Sequence, residues 1–270
     1  MTNGKQLSFR PSEPALAGAR AKYSHQALWE SLTVTVVALC AVGAGIFGLW
    51  ATFTNTIREE FRHYLMSLAE TAAALVDPTL HDSIRRPEQL NNLDYRRAVE
   101  PLRQMRKAVS DIHYIYTVVY DAPTTRFVLD AADPESKTPD GHQEQSGVWE
   151  EYDPSTIRLV SDGAKIEQRS SPMLQALGFN GERGVATALD QPVSDNWGQF
   201  MSGFAPILDA KGRQIGAVGV DVDASVYVAR LARAQLVFHR RGSGEHSHWP
   251  YGRHLLPRSR ARSRRCPSCD

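Results

Sequence analysis

The side chains best suited to chemistry in this sequence are acidic. Asp130, Asp133, Glu135, Asp140 and Glu144 crowd one stretch, which raises the question of Ca²⁺. A Ca²⁺ loop of the D-x-D-x-D-G type is absent, so a solvated acidic loop is expected and no metal is assigned. The histidines His63, His81, His113 and His142 are scattered; His63 and His81 fall on or just beyond a helical pattern and are expected at the surface. There is no G-x-S-x-G, no H-E-x-x-H and no P-loop, and no nucleophile has a plausible base. The reading is therefore of a non-enzyme with no catalytic residue and no cofactor. Asp130 and Asp221 stand apart because each lies in an otherwise hydrophobic run. A buried carboxylate there needs a partner; the alternative is that each caps a turn or a helix.

Composition fixes what must position such residues. The chain has 270 residues, 42% hydrophobic and 23% charged, with a formal net charge of +1. That is ordinary for a globular protein, and it argues against nucleic acid as a partner of the middle region. The average conceals three parts. Residues 1–30 are polar and mixed, and residues 31–56 carry no charged side chain. Residues 239–270 hold eight of the 31 Lys and Arg, four of the nine His and two of the three Cys.

Residues 32–53 read LTVTVVALCAVGAGIFGLWATF. As a helix this run spans about 33 Å, enough to cross a hydrocarbon layer of about 30 Å. Trp29 and Trp50 sit near its ends, where amphipathic rings favour the interface. A signal peptide has a shorter apolar core and a cleavage site, and a buried soluble helix is the other rival. Lys5, Arg10, Arg20 and Lys22 precede the run, against Arg58 and Arg62 close behind it. The excess places residues 1–30 in the cytoplasm, residues 31–56 across the bilayer and the following domain outside.

Beyond the anchor, Ile57, Phe61, Tyr64, Leu65, Leu68, Ala72, Leu75 and Val76 recur at helical spacing, until Asp77-Pro78 stops the pattern. A second helical stripe carries Tyr95, Val99, Leu102, Met105, Val109 and Ile112; Pro101 implies either a kink or a start near Glu100. The period then changes. HYIYTVVYD (113–121) and RFVLDA (126–131) read as a hairpin. Short helices are expected near 154–162 and 170–178, then three strands in GVATAL, QFMSGFAPIL and RQIGAVGVDV. Asp209-Ala210-Lys211-Gly212 is the clearest turn, and a helix follows Asp223.

This order resembles the extracytoplasmic PAS-like sensors known as Cache or PDC domains. The phrase GFAPILDAKGRQIGAVGVDVDAS (203–225) is similar to the closing hairpin of that family, and YIYTVVYD with FVLDA resembles its first. The resemblance implies an α+β domain over residues 57–235, a long helix on a five-stranded antiparallel sheet, that binds a small molecule outside and signals inward to a kinase, cyclase or chemoreceptor module. It places the ligand between one sheet face and the insert after the second strand. On that analogy Trp149 and Tyr152, and Asp195 and Trp197 before the fourth strand, are ligand-binding candidates. Tyr114, Tyr116, Asp130 and Asp221 join them from the strands, Tyr114 and Tyr116 by alternation. An acidic, aromatic pocket suits an amine or amino acid. Arg126, Arg183 and Lys165 equally suit a carboxylate, so ligand polarity stays open at this point.

The family pattern requires a second membrane helix near residue 236, followed by an output module. Residues 236–270 instead read as a disordered basic tail, as a truncated or frame-shifted product would, or as a true tail for anionic lipid or polymer. Cys266 and Cys269 have zinc-like spacing but no second pair, and Cys40 lies in the anchor, so no disulfide is expected in the domain. The expected partners are a small-molecule ligand, the lipid bilayer and a second copy in a homodimer. An envelope interaction or assembly protein, without ligand sensing, is the alternative.

Overall fold

The computed structural model describes residues 13–138, 141–153, 156–165, 171–178 and 182–242, with side chains between residues 27 and 234. Lys5, Arg10, Asp140, Cys266 and Cys269 lie outside the described residues, as do the side chains of Arg20 and Lys22. The chain divides into residues 1–231 and residues 232–270. The first unit is an α+β domain carried on a long helix.

Helix α1 (Glu13–Ala74) is one unbroken rod. Along its apolar part Trp29, Leu39 and Phe47 each expose about two thirds of their surface, and none of the apolar window is buried within the protein. A soluble core helix would be covered, so this is a candidate membrane span. The threonine hydroxyls suit that environment. Thr33, Thr35, Thr52, Thr54 and Thr56 each donate to the carbonyl four residues back, at 2.7–3.0 Å. No hydroxyl of the run is left for lipid to satisfy.

Burial begins at Phe61 and recurs at Leu65, Ala69 and Ala72, and at Val76 just beyond the helix, so the last turns of the rod lie on the domain. Leu75, expected within that stripe, is instead exposed. Gly203 makes the closest approach: a Cβ there would collide with the Leu65 carbonyl oxygen. α1 ends just before Asp77, which caps the next helix, α2 (Pro78–Ser83). The Asp77 carboxylate accepts from the Thr79 and Leu80 amides at 2.8 and 3.1 Å, with Pro78 in the first turn. Asp77-Pro78 therefore opens a helix as well as following one.

Helix α3 (Leu93–Ala108) starts at an Asn92 cap, with Pro101 inside it. The expected alternative of a start near Glu100 does not hold. Burial of Tyr95, Ala98, Val99, Leu102 and Met105 outweighs an interior proline cost of about 3 kcal/mol.

The sheet is antiparallel throughout. Its strands are β1 (Ile112–Asp121), β2 (Thr124–Asp130), β3 (Glu151–Tyr152), β4 (Arg158–Leu159), β5 (Thr187–Ala188), β6 (Val193–Ser194), β7 (Gln199–Leu208) and β8 (Gln214–Asp223). They lie in the order β3-β2-β1-β8-β7-β6-β4, with β5 also paired to β7. The five expected strands are β1, β2, β5, β7 and β8, and two-residue strands extend the edges. Of the short helix expected near 154–162, only Thr156 is helical among the described residues, and β4 and a turn stand at 158–162; residues 154–155 lie outside the described residues. Helix α4 (Pro172–Leu177) does form and ends at Gly178, φ +71°. The β7–β8 turn is as expected: Gly212 takes φ +75° and the Asp209 carboxylate accepts from the Lys211 and Arg213 amides.

The two sheet faces have different coverings. Ile115, Val119, Val128, Val218 and Val220 join α1 and α3 residues in the main core. Tyr114, Tyr116, Phe127, Phe200, Phe204 and Ala217 face the other way, with α4. His81, expected at the surface, is fully buried in the first of these sides, where Nε2 meets Thr117 Oγ1 at 3.0 Å. His63 is exposed as expected.

The last helix, α5 (Ala224–Gly242), begins where Asp223 accepts the Ser225 amide at 2.7 Å. Residues 236–242 are thus helical rather than disordered; residues 243–270 lie outside the described residues. Within the first unit, Arg230 of α5 joins three elements. Its Nη2 is 2.7 Å from Asp111 Oδ2, and its guanidinium lies 4.5 Å from the Tyr64 ring centroid and 5.1 Å from that of Phe61. Tyr64 donates to the same Asp111 at 3.2 Å. Arg230→Ala is expected to cost about 1–2 kcal/mol, because a half-exposed ion pair and two ring contacts are lost together. Thermal unfolding of the variant beside wild type checks this; an unchanged midpoint would mean that the cluster adds nothing.

Candidate functional site

The candidate site is a cavity on the α4 side of the sheet. Tyr114 and Tyr116 reach it from β1, Phe127 and Asp130 from β2, and Asp221 from β8. Tyr152 comes from β3, Glu144 and Ser146 from the segment before it, and Asp195 and Trp197 from the β6–β7 loop. The cavity measures about 30 Å³, and a second lobe of about 40 Å³ shares Tyr116, Tyr152, Asp195 and Asp221. One water requires roughly 10–15 Å³, so each lobe suits only a few non-hydrogen atoms.

Of the eight candidates read from the sequence, seven line this cavity. Trp149 does not. It stands in the turn before β3, at φ +68°. Its ring packs with the main core on the opposite face, and the Arg85 guanidinium sits 5.2 Å above it. Phe127, Glu144 and Ser146 were missed. Phe127 was findable, because its partner Val118 is on the same face as Tyr116. Glu144 carried no signal that separated it from a solvated loop.

The carboxylates differ in how they are held. Asp130 is well satisfied: it accepts the Ala132 amide on Oδ1 and the Ser146 amide on Oδ2, both at 2.8 Å. Burial nevertheless raises its pKa to about 6, against those lowering bonds. Asp130 thus ties β2 to the insert, as a structural residue would. Asp195 is raised by burial and held by the Trp197 and Gly198 amides at 2.8 and 3.1 Å. Asp221 is the least satisfied. Burial raises it to about 8, with hydrogen bonds from Ser202 and Tyr116 opposing that and the charges of Asp195 and Asp130 adding to it. Its Oδ1 has no hydrogen-bond partner, and neither has the Tyr114 hydroxyl.

No Lys or Arg is among the described residues that line the cavity. Arg126 is paired with Asp121 at 2.9 Å, Arg183 lies on a groove beside the end of α1, and Lys165 is exposed beside β4. The cationic side chains that kept a carboxylate ligand open are thus elsewhere. Arg106 lies over Tyr114, 5.7 Å from its ring centroid. The arrangement is a set of buried acids walled by aromatic rings, suited to a small cation. Asp130 and Glu144 both line the cavity, and no group of three or more metal-ligating side chains occurs among the described residues.

Gly219 makes room for the Tyr116 ring. The two are paired across β1 and β8, and a Cβ at Gly219 would lie 2.5 Å from Tyr116 Cζ. Gly219→Ala is expected to displace Tyr116 into the cavity and cost about 1–3 kcal/mol. Chemical denaturation measures the loss; a variant as stable as wild type would show that the ring moves freely.

No family model matches the sequence, and no curated protein matches it. Among solved structures, the Escherichia coli DcuS sensor domain aligns over 66% of this chain and 98% of its own, at 18% identity and a TM-score of 0.36. The periplasmic sensory domain of the Campylobacter jejuni chemoreceptor Tlp1 aligns over 67% of this chain and 59% of its own, at 18% identity and a TM-score of 0.32. The sensory domain of the C. jejuni chemoreceptor Tlp3, solved with isoleucine bound, aligns over 66% of each, at 12% identity and a TM-score of 0.31.

Proposed function

We propose that this chain is a membrane-anchored extracytoplasmic sensor whose domain binds a small organic cation, an amine or a small amino acid. The observation that carries the reading is Asp221: a buried carboxylate with one oxygen unpartnered, at the wall shared by both lobes of an aromatic cavity that no described Lys or Arg lines. An ammonium group there supplies the missing hydrogen-bond donor and charge, and the rings of Tyr114, Tyr116, Tyr152 and Trp197 favour a cation over their faces. The small lobes favour few-carbon ligands. The exposed apolar run of α1 crosses the inner membrane, with residues 1–30 inside and the domain in the periplasm, so α1 joins the bilayer to the sheet that carries the site.

The test is thermal unfolding of the full chain in detergent with methylamine, ethylamine, glycine or alanine. A ligand that binds only the folded form raises the midpoint by mass action. A saturable rise with at least one, lost in Asp221→Asn, supports the reading. No rise with any of them, together with a stable protein partner recovered from the envelope, would establish the interaction-protein alternative instead.

A further inference from the structure

A second cleft, of about 580 Å³, lies between α3 and the segment that leaves β2. That size is within the usual range for a small-molecule site. Its basic wall comes from one face of α3: Arg103, Arg106 and Lys107, spaced i, i+3 and i+4. Asp133 and Ser136 form part of the facing wall.

The state of Arg103 makes the cleft more than a charged surface. Its Nε and Nη2 are shielded from solvent and have no acceptor. Arg106, by contrast, is fixed: Nε donates to the His113 carbonyl at 2.6 Å and Nη1 to the Ala131 carbonyl at 3.1 Å. Among the described residues neither acid of the cleft bonds to the shielded nitrogens of Arg103. Glu100 accepts from Gln104 at 3.2 Å, and Asp133 folds back to accept the Glu135 amide at 3.0 Å. A partly desolvated guanidinium without an ion-pair partner among the described residues is unfavourable, and its charge is spread over all three nitrogens. An oxyanion against its outer edge therefore stabilises the whole group.

We propose that this cleft binds a soluble oxyanion, a carboxylate or phosphate group, between Arg103 and Arg106 with Lys107 at the rim. The site is distinct from the amine cavity. The two back onto each other where Arg106 stands behind Tyr114.

The test uses the full chain in zwitterionic nanodiscs, titrated with inorganic phosphate or acetate at constant ionic strength in chloride. A saturable rise in unfolding midpoint is expected with at least one anion. Arg103→Gln is expected to weaken the apparent affinity about tenfold or more, as loss of a charge-assisted bond does. Lys107→Glu changes an exposed side chain that leaves folding intact, and reversal of a rim charge is expected to weaken affinity about fivefold. Should Arg103→Gln fail to fold, Lys107→Glu decides alone. The proposal is overturned if neither anion gives a saturable rise, or if the folded variants respond as wild type does. A response to phosphate alone or acetate alone supports it and assigns the anion class.

Discussion

Asp221→Asn is expected to abolish small-amine binding while leaving the empty protein as stable as wild type or more so. Asparagine keeps the shape and the bonds from Ser202 and Tyr116 but removes the negative charge. A buried ion pair that loses one partner costs about 2–5 kcal/mol, so affinity should fall by a factor of roughly 30 to several thousand. Stability moves the other way, because the neutral amide is spared the desolvation that raises Asp221 to about 8.

The pH dependence follows with a definite sign. In the empty wild type Asp221 is mostly protonated at pH 7, and binding an ammonium requires the charged form. Affinity should therefore rise about tenfold per pH unit up to about 8, with one proton released on binding, and then level off while the amine stays protonated. Asp130, raised to about 6, steepens the rise only below that pH. Calorimetry in two buffers of different ionisation heat measures the proton release. A pH-independent wild-type affinity between 6 and 8 would remove Asp221 from the site.

His81 is the source of the second large effect. It is fully buried, one ring nitrogen meets Thr117 Oγ1, and Nδ1 has no partner. Thr117 Oγ1 in turn accepts the Leu129 amide at 2.9 Å, so the pair braces β1 against β2 beneath α2. His81→Ala should cost about 2–4 kcal/mol at neutral pH through the cavity and the orphaned hydroxyl. Burial, with the Arg85 charge nearby, lowers the imidazole to about 3. The unfolded chain then binds a proton that the folded chain excludes. This contribution is complete above the ordinary value of 6.5 and is lost progressively as pH falls from there to about 3, to a total of about 4–5 kcal/mol.

Asp130 and Asp221 act with the opposite sign. Each is raised in the folded state, so the empty protein loses stability as pH rises from about 4 to about 6 for Asp130 and about 8 for Asp221. The difference between wild type and His81→Gln isolates the histidine, because the carboxyl contributions cancel. That difference should shrink as pH falls from 7 to 4. A constant difference would show that His81 charges freely in the folded protein.

Much of this fold was legible because its signals are local. The exposed run of α1 is defined by length and missing charge alone, and lipid or solvent is all that surrounds it. The β7–β8 hairpin was equally readable: Asp209 caps its own turn and Gly212 supplies the positive φ, so four consecutive residues specify it. Tyr114 and Tyr116 were placed together by the two-residue period of a strand. Where the local signal competed with packing, the sequence misled. Pro101 left open a kink or a helix start near Glu100, and the buried stripe on either side of it holds α3 together. The 154–162 stretch looked helical, but Arg158 and Leu159 pair with Val193 and Ser194, more than thirty residues away.

By itself, the sequence determined the order of elements, the apolar rod and the strand residues that share a face, because each depends on neighbours in the chain. The tertiary structure decided what each buried polar group meets. Trp149, in a left-handed turn before β3, went to the main core, and His81 went inside because α2 folds over Thr117. Asp130 and Asp221 looked alike as isolated acids in hydrophobic runs. Long-range pairing separated them: the insert returns the Ser146 amide to Asp130, beside the local Ala132 amide, while an oxygen of Asp221 is left without a donor. Hydrogen-bond satisfaction depends on residues distant in sequence, and no period or motif encodes it.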